Sequence, residues 1–158
     1  MRLRLLSVYV STAALVCGCQ VTVPGHLYPI QGPVAAQNPP TVYDVAATGR
    51  IAQNNGELAG GTITMTLASG ESCSGSWSPV PAGDNTAGKM SAQWDQVYGP
   101  GFFLANVLGN GHFARATTLT CNNGDTVSIE FFDPNTFNRG NSKGVAQDGK
   151  GNLYKVAF

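Results

Sequence analysis

Apolar and polar side chains alternate with a period of two over several short stretches of this chain. In Gly61–Leu67 the residues Ile63, Met65 and Leu67 share one face and three threonines the other, the pattern of a half-buried strand. Ala68-Ser69-Gly70 turns that strand, and Cys73, Gly75 and Trp77 continue on the face of Met65. A second hairpin is expected from Thr117 to Phe132 around Asn122-Asn123-Gly124. A three-residue loop with Gly124 in the left-handed region aligns Leu119 with Val127 and keeps Cys121, Ile129 and Phe131 on the inner side. Met90, Ala92 and Trp94 recur at period two and read as a strand up to Trp94. Tyr98-Gly99-Pro100-Gly101 is a turn signal, and the run Phe102–Gly109 is the most apolar stretch after the leader. It reads as a brief helix or plug closing the end of a barrel. Asn152–Phe158 closes the chain with Tyr154, Val156 and Phe158 on one face. The fold class expected is all-β, a small antiparallel β-barrel or sandwich with one short helix or plug segment.

The amino terminus has a different texture. Arg2 and Arg4 precede an apolar run from Leu5 to Val16, too short for a bilayer span of roughly 20 residues and suited to an export signal. The segment Val16-Cys17-Gly18-Cys19 resembles the lipobox of bacterial lipoproteins, in which a small residue precedes the cysteine that is lipidated. The resemblance implies a signal peptide of residues 1–18, a diacylglycerol thioether on Cys19 and N-acylation. Gln20, in place of Asp, implies sorting to the outer membrane. Each buried methylene would add about 0.8 kcal/mol of membrane affinity. Residues 19–40 carry five prolines and hardly any charge, and read as a tether, with packing of Leu27, Tyr28 and Ile30 onto the domain as the alternative. The β-domain is then expected over residues 41–158.

Composition narrows the function classes. Of the 158 residues 42% are hydrophobic and only 11% charged, which permits a real core. Nine Lys+Arg balance nine Asp+Glu with no block of either sign, so nothing marks a nucleic-acid partner. Four cysteines reduce to Cys73 and Cys121 once the leader is removed and Cys19 is acylated. In an oxidising compartment that pair is expected to form a disulfide, closing a loop of about 49 residues and stabilising by about 4 kcal/mol in the chain-entropy model. No Cys-x-x-Cys spacing exists, and His26 and His112 lie at no ligand spacing, so no metal and no cofactor are expected.

The residues offer little catalytic chemistry. His112 with Ser72, Ser74 or Ser76 lacks the Gly-x-Ser-x-Gly elbow and falls in a hairpin. Glu130 alternates outward from Ile129 and Phe131 and reads, with Asp133, as a solvated carboxylate. Asp133, Asn135 and Asn138 lack the glycine and terminal glutamate of a calcium loop. Gly140, Gly144, Gly149 and Gly151 with Lys143 and Lys150 read as hairpin turns and not as a phosphate loop.

Two further likenesses are local. Leu119–Val127 resembles the strand-turn-strand segment of periplasmic C-type lysozyme inhibitors, whose Ser-Gly-x-Lys-Tyr type loop is echoed only in part by Ser142-Lys143-Gly144 and Tyr154-Lys155. The alternating strand ending on Phe158 resembles the terminal strand of outer-membrane β-barrels, yet the segments rarely reach the 9–11 residues a spanning strand needs and no aromatic girdles are present. The function expected is that of a non-catalytic, lipid-anchored envelope protein. It would touch the membrane through Cys19 and an envelope protein through Phe102, Phe103, Leu104, Val107 and Leu108. An envelope hydrolase or a lysozyme-inhibitor-like binder is the alternative.

Overall fold

The period-two stretches become eight strands in the computed structural model, which describes residues 20–51, 58–67, 69–79, 89–108, 113–132 and 142–158. They are β1 Gln20–Gln31, β2 Tyr43–Ile51, β3 Leu58–Thr66, β4 Ser72–Pro79, β5 Phe113–Cys121, β6 Thr126–Phe132, β7 Lys143–Asp148 and β8 Leu153–Ala157. Each pairs antiparallel with the next, and β8 returns to β1, so the sheet closes into a barrel. An eight-stranded barrel is just wide enough for side chains to fill. Leu27, Ile63, Leu119, Val127, Ile129, Phe131 and Val156 fill it here, all fully buried. Trp77 packs edge-on against Phe131 at 5.4 Å, and its indole N–H donates to the Thr48 carbonyl at 3.0 Å.

Both hairpin expectations agree with the structure. Met65 pairs with Cys73, and both point inward. Leu119 pairs with Val127 across a loop in which Gly124 adopts φ 87° and its N–H donates to the Cys121 carbonyl. A β-carbon there would be strained, which is why glycine holds the position. The disulfide Cys73–Cys121 joins directly paired residues of β4 and β5 inside the barrel.

The expected tether is corrected. Its first half is β1, which places Val23 and Leu27 in the core, and Val34 beyond it is buried with its N–H donating to the Asn152 side chain. The folded body therefore includes Gln20–Gln31, well before residue 41. The prolines fit because of where they sit. Pro24 lies in the part of β1 that pairs with β2 only, since the ladder to β8 starts at His26, and Pro29 adjoins the register shift between Pro29 and Gln31. Edges and bulges are the places where a strand tolerates a missing N–H. Gly25 faces inward, where a β-carbon would come within 2.5 Å of the Ala157 carbonyl oxygen.

The segment around Trp94 is corrected as well. Ser91–Tyr98 is an α-helix, α1, followed by a π-helix over Phe103–Leu108. Met90, Trp94 and Tyr98 are spaced by four, so they share one helical face, while Ala92 is exposed. Neither helix plugs the end of the barrel. They lie on its outer wall, where Met90, Trp94, Phe103 and Val107 form a second apolar cluster with Phe132 and Val145. Phe132 and Val145 lie on the outer face, opposite in phase to their inward neighbours Phe131 and Ala146.

Candidate functional site

Glu130 holds this cover in place. It does alternate outward, but it is not solvated: α1 buries it to 2% exposure. Its carboxylate accepts from the Met90 N–H at 3.3 Å and from the Trp94 indole N–H at 3.1 Å. A carboxylate at a helix amino terminus meets unsatisfied N–H groups and the positive end of the helix dipole. At the other end of α1, Asp95 accepts the Phe103 N–H at 2.9 Å and so joins the two helices. Trp94, Tyr98 and Phe102 stack, with the Tyr98 and Phe102 rings 4.7 Å apart. The Lys143 and Lys155 ammonium groups lie 5.6 Å from the Phe102 and Tyr98 rings respectively. The Tyr98 hydroxyl lies in reach of the carbonyls of Gly144 and Val156, at 3.2 and 3.3 Å. Burial pushes its phenol up to about 12.

The expected interaction patch divides on this scaffold. Phe103 and Val107 are buried against the barrel, Phe102 is half-buried, and Leu104 and Leu108 face outward, Leu104 at 68% exposure. What remains available to a partner is Phe102, Leu104 and Leu108. A large apolar residue exposed beside others marks a contact surface more often than one exposed singly.

The opposite wall, β1 to β4, is bare. A groove of about 500 Å³ crosses it at right angles to the strands. Its floor is the backbone of Gly25, Val45, Met65 and Cys73, which pair in one continuous row. On one side stand Pro24, Ala46, Thr64 and Ser74, on the other His26, Asp44, Thr66 and Ser72. Strand spacing makes the groove about 14 Å long and the alternation along each strand makes it about 7 Å wide. His26 Nδ1 lies 3.4 Å from the Asp44 carboxylate, and the two side chains are 55% and 92% exposed. Ser72 and Ser74 are exposed on β4, three strand spacings or about 14 Å from His26 on β1, so the imidazole cannot serve them as a base.

His26 and Asp44 escape a reading of the sequence because their meeting depends on β1 pairing with β2, which the prolines conceal. Cys19, His112, Asp133, Asn135, Asn138 and Gly140 lie outside the described residues. Ser76 is exposed on β4. Lys143 and Gly144, expected in a turn, lie instead in β7, while Gly149 and Gly151 stand in the β7–β8 turn as expected, held by Asp148, which accepts from the N–H groups of Lys150 and Asn152, from the Asn152 amide and from the Tyr154 hydroxyl. Burial first, and Asp148 second, raise the Tyr154 phenol well above the usual tyrosine range. Lys150 meets Asp125 at 3.0 Å and Glu71 at 3.6 Å across the neighbouring turns. Among the described residues no cluster of histidine, cysteine and carboxylate side chains could hold a metal ion, and no helix is long and apolar enough to cross a membrane.

No protein-family model matches the chain, and neither does a curated protein or a solved structure.

Proposed function

We propose that this chain is a non-catalytic binding protein of a bacterial cell envelope, anchored in the outer membrane by lipid on Cys19 and meeting an envelope protein through Phe102, Leu104 and Leu108. The observation that carries the reading is that every described strand of the barrel lies after the lipobox-like Val16-Cys17-Gly18-Cys19, so cleavage before Cys19 would leave all eight of them in the chain. A buried disulfide suits an oxidising compartment. The packed barrel interior, and the three strand spacings between His26 on β1 and the serines of β4, favour binding over catalysis. An inhibitor loop built on Tyr154 is disfavoured, because that side chain is buried in the core beside Asp148. The outer face of β3 and β4 carries Thr62, Thr64, Thr66, Ser72, Ser74 and Ser76, where a lipid-facing barrel carries an apolar band.

Intact mass spectrometry of the membrane-bound protein tests the anchor. The expected mass is that of the chain from Cys19 plus acyl groups, less two hydrogens for the disulfide, and an unmodified Cys19 would overturn it. In-cell crosslinking from position 104 is expected to trap one envelope protein in fixed stoichiometry. Crosslinks no different from those of position 62, on the hydroxyl-bearing wall, would remove the patch from the proposal.

A further inference from the structure

We infer that the groove across β1 to β4 binds a neutral glycan strand, a function separate from the Leu104 surface and independent of whether Cys19 is lipidated. Its floor row Gly25, Val45, Met65 and Cys73 lies in the barrel ladders, so a ligand is read by the wall side chains and not by strand addition. Six of the eight wall side chains are polar, and the hydroxyls of Thr64, Thr66, Ser72 and Ser74 have no hydrogen-bond partner among the described residues. Each hydroxyl both donates and accepts, and both rows offer that capacity on β3 and β4, with His26 and Asp44 adding polar groups on β1 and β2 in one row.

Charge excludes the polyelectrolytes: the walls carry one carboxylate and one imidazole, which meet each other. A lipid or an amphipathic helix needs apolar anchors, and only Pro24 and Ala46 are apolar here. An extended proline-rich peptide needs a groove lined by aromatic rings, which the eight wall residues do not supply. What fits is an uncharged chain dense in hydroxyl and amide groups. Tyr28, outward on β1 two residues beyond His26 and 39% exposed, stands behind that wall with its ring 6.3 Å from the imidazole in an edge contact.

The test is a titration of the isotope-labelled full chain with cellotetraose, with tetra-N-acetylchitotetraose and with a glycine-serine peptide of similar length, followed through the backbone amide signals. Saturating shifts at millimolar concentration, confined to the Gly25-Val45-Met65-Cys73 row and seen with at least one of the two glycans, are expected. Asp44→Asn combined with Thr66→Val is expected to weaken that binding about tenfold or more, since hydrogen bonds to charged and neutral partners are both lost. The same variant should leave the thermal midpoint in place. Silence toward both glycans, shifts from the peptide alone, shifts centred elsewhere, or undiminished binding by the double variant would each overturn the inference.

Discussion

Two walls of one barrel are treated in opposite ways. Over β6 and β7 the outward side chains Glu130, Phe132 and Val145 are buried beneath α1 and the π-helix. Over β3 and β4 the outward side chains are threonines and serines left to solvent. The inner faces of both walls contribute to the same apolar core, with Asp148 the buried carboxylate at the end of β7. Strand alternation therefore assigns a side chain to inside or outside, and only the presence of a covering element decides whether outside means wet. The first wall behaves as core on both faces where the helices cover it, with Ser128 and Lys143 exposed beyond the cover, and the second as a core on one face and a surface on the other.

If that contrast is right, Trp94→Ala has the largest effect. Removing a fully buried indole from the outer cluster is expected to cost about 3–5 kcal/mol, measured as a shift of the urea unfolding midpoint. A loss below about 1 kcal/mol would mean that the helices ride on the barrel without stabilising it. Glu130→Ala comes next, at about 1–3 kcal/mol, because it strands the Trp94 indole and the Met90 amide in a buried place. Amide exchange should speed first at Met90 and Trp94. Equal acceleration throughout the barrel would show that the covered wall has no separate stability.

A smaller effect is expected from Tyr98→Phe, about 1 kcal/mol for the hydroxyl that reaches Gly144 and Val156. Its pH dependence has a definite sign. The folded phenol titrates at about 12 against an ordinary value of 10.0, so the fold favours the protonated form. That stability is complete below pH 10 and is lost as pH rises toward 12. Tyr154 is raised in the same direction and contributes its own alkaline loss. Tyr98→Phe should make the alkaline decline shallower, and an unchanged profile would assign the decline to other groups. The smallest effects belong to the bare wall: Thr64→Val and Ser74→Ala should change stability by no more than about 0.5 kcal/mol. A larger loss from either would show that this wall is structural after all.

Much of the barrel was legible in the sequence, for identifiable reasons. The three-residue loop at 122–124 was fixed by register, because only that loop keeps Cys121, Ile129 and Phe131 on one face. The pairing of Cys73 with Cys121 followed from counting. By contrast β1 was hidden by prolines, since a composition that argues against a strand cannot reveal that each proline will meet an edge or a bulge. Glu130 was placed on the correct face and given the wrong environment, because burial there depends on a helix about forty residues earlier in the chain. The groove was invisible from the same source as β1: half of its His26–Asp44 pair stood in a segment read as spacer.

The seam between β1 and β8 has a consequence for how the molecule is made. It brings His26 beside Ala157, residues about 130 apart in the chain, so the barrel carries a high contact order and its closing step requires the whole polypeptide. Ribosomal synthesis delivers β1 first, and its closure must wait for β8. Until then the β1 edge and the core face of β2 to β4 are uncovered, the kind of surface through which partly folded chains aggregate. A chain relinked from Phe158 to Gln20 and reopened at the exposed Gly70 turn would move this vulnerable interval without altering the finished wall.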